Sequence, residues 1–120
     1  MTKVVEQFKD LNHEVPQGWV ALCEELAEKL DKILETLGEE KENYRLLQVK
    51  EKFGSLRWYD NWHNEEMHQL IRQYEYKAER ICCVCGKMAT KVTLGFIIPF
   101  CDECVPEGKT VDIDEFYESE

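Results

Sequence analysis

Five of the six cysteines fall in one stretch, ICCVCGKMATKVTLGFIIPFCDECV, residues 81–105. Cys82-x-x-Cys85-Gly86 is followed, fifteen residues later, by Cys101-x-x-Cys104. This is the spacing of a four-thiolate metal site. Two cysteines three apart on a tight knuckle can aim both sulfurs at one ion, and the glycine lets the knuckle turn. A hairpin between the pairs would bring the second knuckle round to close a tetrahedron. With every position filled by sulfur no water can be activated, so the spacing predicts a structural site, and Zn²⁺ is the expected ion. The same ligands suit iron in a rubredoxin-like site, and disulfides or a redox pair are the remaining alternatives. Cys83-x-Cys85 is poor knuckle spacing, so Cys83 reads as a spare thiol near the surface.

The energetics agree. A lobe of about 40 residues rarely buries enough apolar surface to stand alone. A structural zinc contributes roughly 10–16 kcal/mol in isolated finger peptides, comparable to the stability of a whole domain. Four thiolates on one Zn²⁺ carry a net −2, which the knuckle amides, Lys87 and Lys91 are expected to offset.

A second arrangement competes for two of these cysteines. His63-Asn64-Glu65 and Pro99-Phe100-Cys101-x-x-Cys104 echo the H-x-E…P-C-x-x-C pattern of zinc deaminases. An extra residue separates Pro99 from Cys101, Pro106 and Gly108 oppose the helix that should follow, and Cys82 and Cys85 are better partners for the second pair. There is no G-x-S-x-G and no phosphate-binding glycine loop. His13, His63 and His68 are scattered and read as surface or helix-end residues. The chain is therefore expected not to be an enzyme.

The elements that must position the cysteines follow from periodicity. Val4, Val5, Phe8 and Leu11 predict a short amphipathic helix. Pro16 suits the start of the next, where Trp19, Leu22, Cys23, Leu26, Leu30, Ile33, Leu34 and Leu37 make an apolar stripe opposite Glu24, Glu25, Glu28, Lys29, Asp31, Lys32 and Glu35. Gly38 is a natural cap, Cys23 a core residue, and residues 39–43 a solvated turn. The period then changes: Leu47, Val49, Glu51 and Phe53 alternate with Gln48, Lys50 and Lys52, and Leu56, Trp58 and Asp60 with Arg57 and Tyr59, predicting a β-hairpin over 45–60 interrupted at Gly54-Ser55. Asn64 caps a second long helix, with Met67, Leu70, Ile71, Tyr74, Ala78 and Ile81 as its stripe, and this helix runs into the first knuckle. Residues 91–100 read as a strand, and a short helix is expected near residues 114–117 of a fraying tail.

In this order, Gly18-Trp19, the block Val49-Lys50-Glu51-Lys52-Phe53-Gly54-Ser55-Leu56-Arg57-Trp58-Tyr59, Ala78-Glu79 and the Cys82-x-x-Cys85-Gly86 knuckle resemble an uncharacterised family of small bacterial and phage proteins. The similarity spans about residues 18–104. Ser55 stands where the family pattern has a second glycine, and Trp58 where it has phenylalanine. The resemblance implies a bacterial or phage source and carries over no activity and no catalytic residue.

The formal charge is −10, from 15 basic and 25 acidic residues. Residues 1–44 carry −6, residues 45–80 carry +1 and residues 81–120 carry −5. Such a field repels phosphate backbones and favours basic partners. The N-terminus shows no signal peptide and no apolar run approaches bilayer length, so a cytoplasmic setting with reduced thiols is expected.

Together these features predict an α+β protein. The 16–37 and 64–81 helices pack on the hairpin, within a body over 1–81. A zinc-ribbon-like lobe follows over 82–105 and an acidic tail over 106–120. The metal ligands are Cys82, Cys85, Cys101 and Cys104. The expected role is a non-catalytic interaction protein that meets a basic protein partner, with no membrane association. The alternative is nucleic-acid binding through Lys50, Lys52, Arg57, Trp58 and Tyr59, where cations stand beside aromatics on one hairpin.

Overall fold

A computed structural model describes residues 2–118. The architecture is α+β, with four α-helices and two small antiparallel sheets. Helix α1 is Val4–Leu11, α2 is Val20–Glu35 and α3 is Glu65–Ala78. Strands β1 (Leu46–Lys52) and β2 (Ser55–Asp60) form the hairpin. The lobe's sheet has the order β4-β3-β5, with β3 Lys91–Thr93, β4 Pro99–Phe100 and β5 Thr110–Asp112, and ends in α4, Ile113–Glu118.

The apolar stripes read from the sequence meet in one core. Trp19, Cys23, Leu26, Leu30 and Leu34 of the second stripe pack with Phe8, Val49, Leu56, Trp58, Met67, Ile71 and Tyr74. Phe8 and Trp58 stack with ring centroids 6.0 Å apart. The long helix begins later than its periodicity suggests, because Gln17–Trp19 is a 3-10 turn before α2 takes over. Residues 39–43, read as a turn, wind together with Gly38 into another 3-10 segment, Gly38–Asn43.

Two departures in the hairpin have local causes. The strand pairing shifts between Leu46 and Gln48, so Leu46 takes the buried position and Leu47 is turned out to solvent. An extra residue in one strand moves every side chain before it to the other face. The turn itself is Phe53-Gly54, one residue earlier than expected, with φ of 53° and 80°. Positive φ at both central residues is the geometry of a two-residue hairpin turn whose twist matches the strands. Phe53 therefore sits at the tip and is exposed rather than in the core.

Asp31, expected on the solvated face of α2, is buried. Its Oδ1 accepts the Val4 amide at 2.8 Å and its Oδ2 the Val5 amide at 3.2 Å. Lys3, at the cap position of α1, offers no side-chain hydrogen bond, so the carboxylate of a different helix satisfies the free amides and sits at the positive end of the helix dipole. Gln7 ties α1 to the hairpin, its Oε1 accepting the Leu46 amide at 2.7 Å.

The segment after Val105, read as a tail, belongs to the lobe. β5 pairs along β3, and Ile113 packs with Ala89 and Val92 in a second small core that Ile97, Phe116 and Tyr117 flank. The Arg80 guanidinium holds Asp114 at 2.6 Å and lies 5.1 Å over the Tyr117 ring. The last two tail residues, Ser119 and Glu120, lie outside the described residues.

Two core groups link stability to alkaline pH. Burial, helped by the neighbouring Glu24 carboxylate, pushes the Cys23 thiol up from 9.0 to about 12. Burial and the Asp60 charge raise the Tyr44 phenol well above its ordinary 10.0, against the Trp58 hydrogen bond that lowers it. A group held protonated in the folded state stabilises it fully below its unfolded pKa and loses that contribution as pH rises toward the folded value. The unfolding free energy is therefore expected to fall steadily above pH 9, by up to about 1.4 kcal/mol per pH unit for each group, and the denaturant midpoint with it. Chemical unfolding at pH 8–11 measures this, and Cys23→Ala should flatten the fall.

Candidate metal centre

The first knuckle begins where α3 ends. The chain leaves the helix through Ile81, which bridges to Met88, and reverses over Cys82–Cys85. The Cys82 amide donates to the Lys87 carbonyl at 2.8 Å, the Gly86 amide to the Cys82 carbonyl at 3.1 Å, and Gly86 takes φ of +85° to close the turn. The second knuckle follows β4. There the Val105 and Cys104 amides both donate to the Cys101 carbonyl, at 3.0 and 3.2 Å.

These turns bring one sulfur from each of Cys82, Cys85, Cys101 and Cys104 within 4.8 Å of one another. Cys85 Sγ and Cys101 Sγ are 3.6 Å apart. A disulfide would hold them at about 2.05 Å. Four sulfurs at about 2.3 Å from a central ion stand about 3.8 Å apart, so this arrangement could hold one metal ion. All six cysteines are free. The donor set is four soft sulfurs in a closed shell, which suits zinc or iron.

The amides already favour thiolate character at one corner. Burial pushes Cys82 up, but the Cys85, Cys101 and Val84 amides point at its sulfur and bring the thiol down from 9.0 to about 6. At Cys85 the Lys87 amide lowers the thiol, yet desolvation and the hydrogen bonds with the Cys101 and Cys82 sulfurs win, and it rises. Cys104 rises to about 12, through its hydrogen bond with Cys101 and desolvation. Lys87 contributes its amide rather than its charge, since its ammonium goes to Glu103 at 3.3 Å. Cys83 stays outside the cluster. Burial and the nearby Cys82 sulfur push its thiol up to about 11, so it is a poor nucleophile.

The first knuckle is also a seam with the helical body, and the sequence reading missed why. Gly18 donates its amide to the Cys83 carbonyl at 2.8 Å, and Trp19 Nε1 donates to the Ile81 carbonyl at 2.9 Å. A Cβ on Gly18 would lie 2.1 Å from the Cys82 carbonyl oxygen and 2.8 Å from the Gly86 nitrogen. Only glycine fits between these two backbones. The Gly18-Trp19 pair and the knuckle are thus two sides of one contact. A second strut lies at the hairpin tip, where a Cβ on Gly54 would meet the Ile97 carbonyl oxygen at 2.7 Å.

The other candidates fall elsewhere. His63, which a deaminase would need beside Cys101 and Cys104, is not among the converging ligands. It precedes α3 while the knuckle follows it, and fourteen helical residues make about 21 Å. His63 instead contacts Asp60 and His68. The hairpin cations do share a face: Lys50 stands opposite Arg57 and Lys52 opposite Ser55, with Tyr59 exposed two residues beyond Arg57. Trp58 is removed from that set, because it points into the core, 5% exposed, with its Nε1 on the Tyr44 hydroxyl at 3.2 Å. No described helix is long and apolar enough to cross a membrane. Comparison with protein-family models, with curated proteins and with solved structures finds no match.

Gly18→Ala should pry the knuckle from α2 without touching a ligand. We expect a loss of about 3 kcal/mol or more in stability, since neither backbone can yield to a Cβ at this distance. Hydrogen exchange is the check. The Cys82, Cys83 and Gly86 amides should lose protection while amides around Leu30 keep theirs.

Proposed function

We propose that the protein is a non-catalytic, zinc-binding interaction protein that receives a basic protein partner on acidic surfaces, in the manner of a phage inhibitor or immunity-type protein. The convergence of four cysteine sulfurs within 4.8 Å carries the first half. A site closed by four sulfurs leaves no coordination position for substrate, and its first knuckle is fastened to the body by backbone contacts at Gly18, as a structural ion would require. The lobe's small apolar core, built on Ala89, Val92 and Ile113, supports the same reading, because it is too slight to hold the lobe without the ion. The second half rests on charge. The protein carries −10, and Glu25, Glu28, Glu35, Asp102, Glu103, Glu107, Asp114 and Glu115 are exposed.

Protein purified under reducing conditions without chelator should carry about one zinc per chain by elemental analysis. EDTA should abolish protection of the lobe amides. A metal-free preparation whose lobe is indifferent to EDTA would end the reading. Affinity capture from a bacterial lysate should recover a basic protein that elevated salt releases. Recovery of none would remove the partner while leaving the metal.

A second reading is kept alive by one groove. Between β2 and α3 runs an open cleft of about 360 Å³, lined by Arg57, Tyr59, Arg72 and Tyr76 together with Glu75 and Glu79. Arg57 Nε is buried there with no hydrogen-bond partner. Cations beside exposed aromatic rings suit a single nucleic-acid strand, and Lys50 and Lys52 extend the same face. If this reading holds, a fluorescent oligonucleotide should bind with an affinity that falls steeply with salt, and replacing Lys50, Lys52 and Arg57 by Gln should flatten that dependence by about three phosphate contacts. Binding that ignores these replacements would eliminate it.

A further inference from the structure

Helix α3 starts with an Asn64 cap whose Oδ1 accepts the Met67 amide at 2.9 Å, while its carbonyl accepts the His68 amide at 2.9 Å. The residue before such a cap and the fourth residue of the helix face each other, and an apolar pair commonly closes there. In this chain both positions are histidines. His63 Nε2 and His68 Nδ1 are 3.1 Å apart, with ring centroids at 5.2 Å.

The inner ring is fixed from behind. His63 Nδ1 lies 2.9 and 3.0 Å from the two oxygens of Asp60, whose side chain is only 4% exposed. Asp60 Oδ2 also accepts the Tyr44 hydroxyl at 3.0 Å, and that hydroxyl accepts Trp58 Nε1 at 3.2 Å. This chain of donors orients the carboxylate, which holds the proton on His63 Nδ1 and leaves the Nε2 lone pair facing outward. A carboxylate behind an imidazole is the arrangement that orients and strengthens metal-binding histidines.

We propose that His63 Nε2 and His68 Nδ1 form a second metal site, a solvent-facing chelate for one divalent ion of the zinc or nickel class, with Asp60 as its positioning residue. The 3.1 Å separation decides the geometry. Two nitrogens each about 2.0–2.1 Å from one ion subtend roughly 100° at that distance, between the octahedral and tetrahedral angles. In the metal-free pair, His68 Nδ1–H donates to His63 Nε2. On binding, the ion takes both lone pairs and the His68 proton moves to the other nitrogen of that exposed ring, so the neutral pair releases no proton. Water fills the remaining positions. Glu65 Oε1 is occupied by Gln69 at 2.8 Å, and two protein ligands make this site weaker and more exchangeable than the cysteine centre. It stands about 21 Å of helix from that centre and does not depend on it.

The test uses the full chain with its cysteine centre loaded with zinc. Ni²⁺ is titrated while the histidine rings are followed by long-range ¹H–¹⁵N NMR. The His63 and His68 rings should broaden together well before that of His13, an exposed histidine that lies 3.5 Å from Glu14 and serves as the internal control. His68→Gln, on an exposed position, should abolish the selective effect without touching the fold. Asp60→Asn should weaken nickel binding about 10–100-fold, with circular dichroism reporting whether the Tyr44 contact survives. Broadening of all three rings alike, or selective broadening of His63 that persists in His68→Gln, would overturn the chelate. Full affinity in a folded Asp60→Asn variant would overturn the positioning role. A failure of zinc to load the cysteines would show in metal content and leave the ring readout independent.

Discussion

A bare glycine pressed against the carbonyl of a cysteine in the four-sulfur cluster holds this structure in register. Gly18 and Cys82 meet as backbone on backbone, with the Gly18 amide given to Cys83 and the indole of Trp19 to Ile81. The same short segment therefore starts α2 and roofs the first knuckle. Trp19 is fully buried, so its indole N–H must find a partner or cost stability, and the partner it finds is the residue that leads into the cysteines. Core packing in the body and ligand geometry in the lobe become one problem with one solution.

The seam is reinforced at a distance. The hairpin tip reaches the lobe at Ile97, Ser55 Oγ donates to Glu79 at 3.1 Å, and the Trp58 amide donates to Glu75 at 3.1 Å. Those two glutamates lie on the face of α3, or just past its end, that looks at the free edge of β2, so the carboxylates occupy an edge that would otherwise invite another strand. Arg80, at the end of the same helix, clasps Asp114 and Tyr117 of the lobe. Three separated attachments, at Gly18, at the hairpin tip and at Arg80, limit how far the lobe can swing on the single turn that joins it to α3. Such restraint lowers the entropy that metal binding must otherwise overcome.

The parts of this architecture that were legible in the sequence are those that a repeating pattern encodes. Three- and four-residue spacing revealed α2 and α3, alternation revealed the hairpin, and two C-x-x-C pairs revealed which sulfurs would converge. What stayed hidden was set by single contacts between distant segments. Asp31 reads as one more acid on a charged face, and only the arrival of α1 explains its burial. Alternation alone puts Leu47 on the wrong face, because one bulged residue inverts a pattern that otherwise looks regular. The strand at Thr110–Asp112 is three residues long in an acidic context, too short for any period to show, and exists because β3 offers it an edge. His63 and His68 are five apart, outside the helical spacings, and meet because one lies before the Asn64 cap and the other after it.

The charge pattern, read with the contacts in place, shifts where a basic partner would dock. On α2 the exposed acids are interleaved with Lys29 and Lys32, Lys29 pairs with Glu25 at 3.8 Å, and Asp31 is withdrawn into the fold. That face is closer to balanced than its glutamate count suggests. On the lobe, Asp102, Glu103, Glu107, Asp114, Glu115 and Glu118 are exposed against few cations, and Lys87 is already committed to Glu103. Like charges held this close raise the local field and would repel one another apart in a flexible tail. The pairing of β5 with β3 and the Arg80–Asp114 contact hold them together instead. An ion bound by Cys82, Cys85, Cys101 and Cys104 would then do more than fold the lobe: by fixing a dense acidic surface in one shape, it would make recognition of a basic partner depend on metal content, with no ligand-to-metal contact from the partner at all.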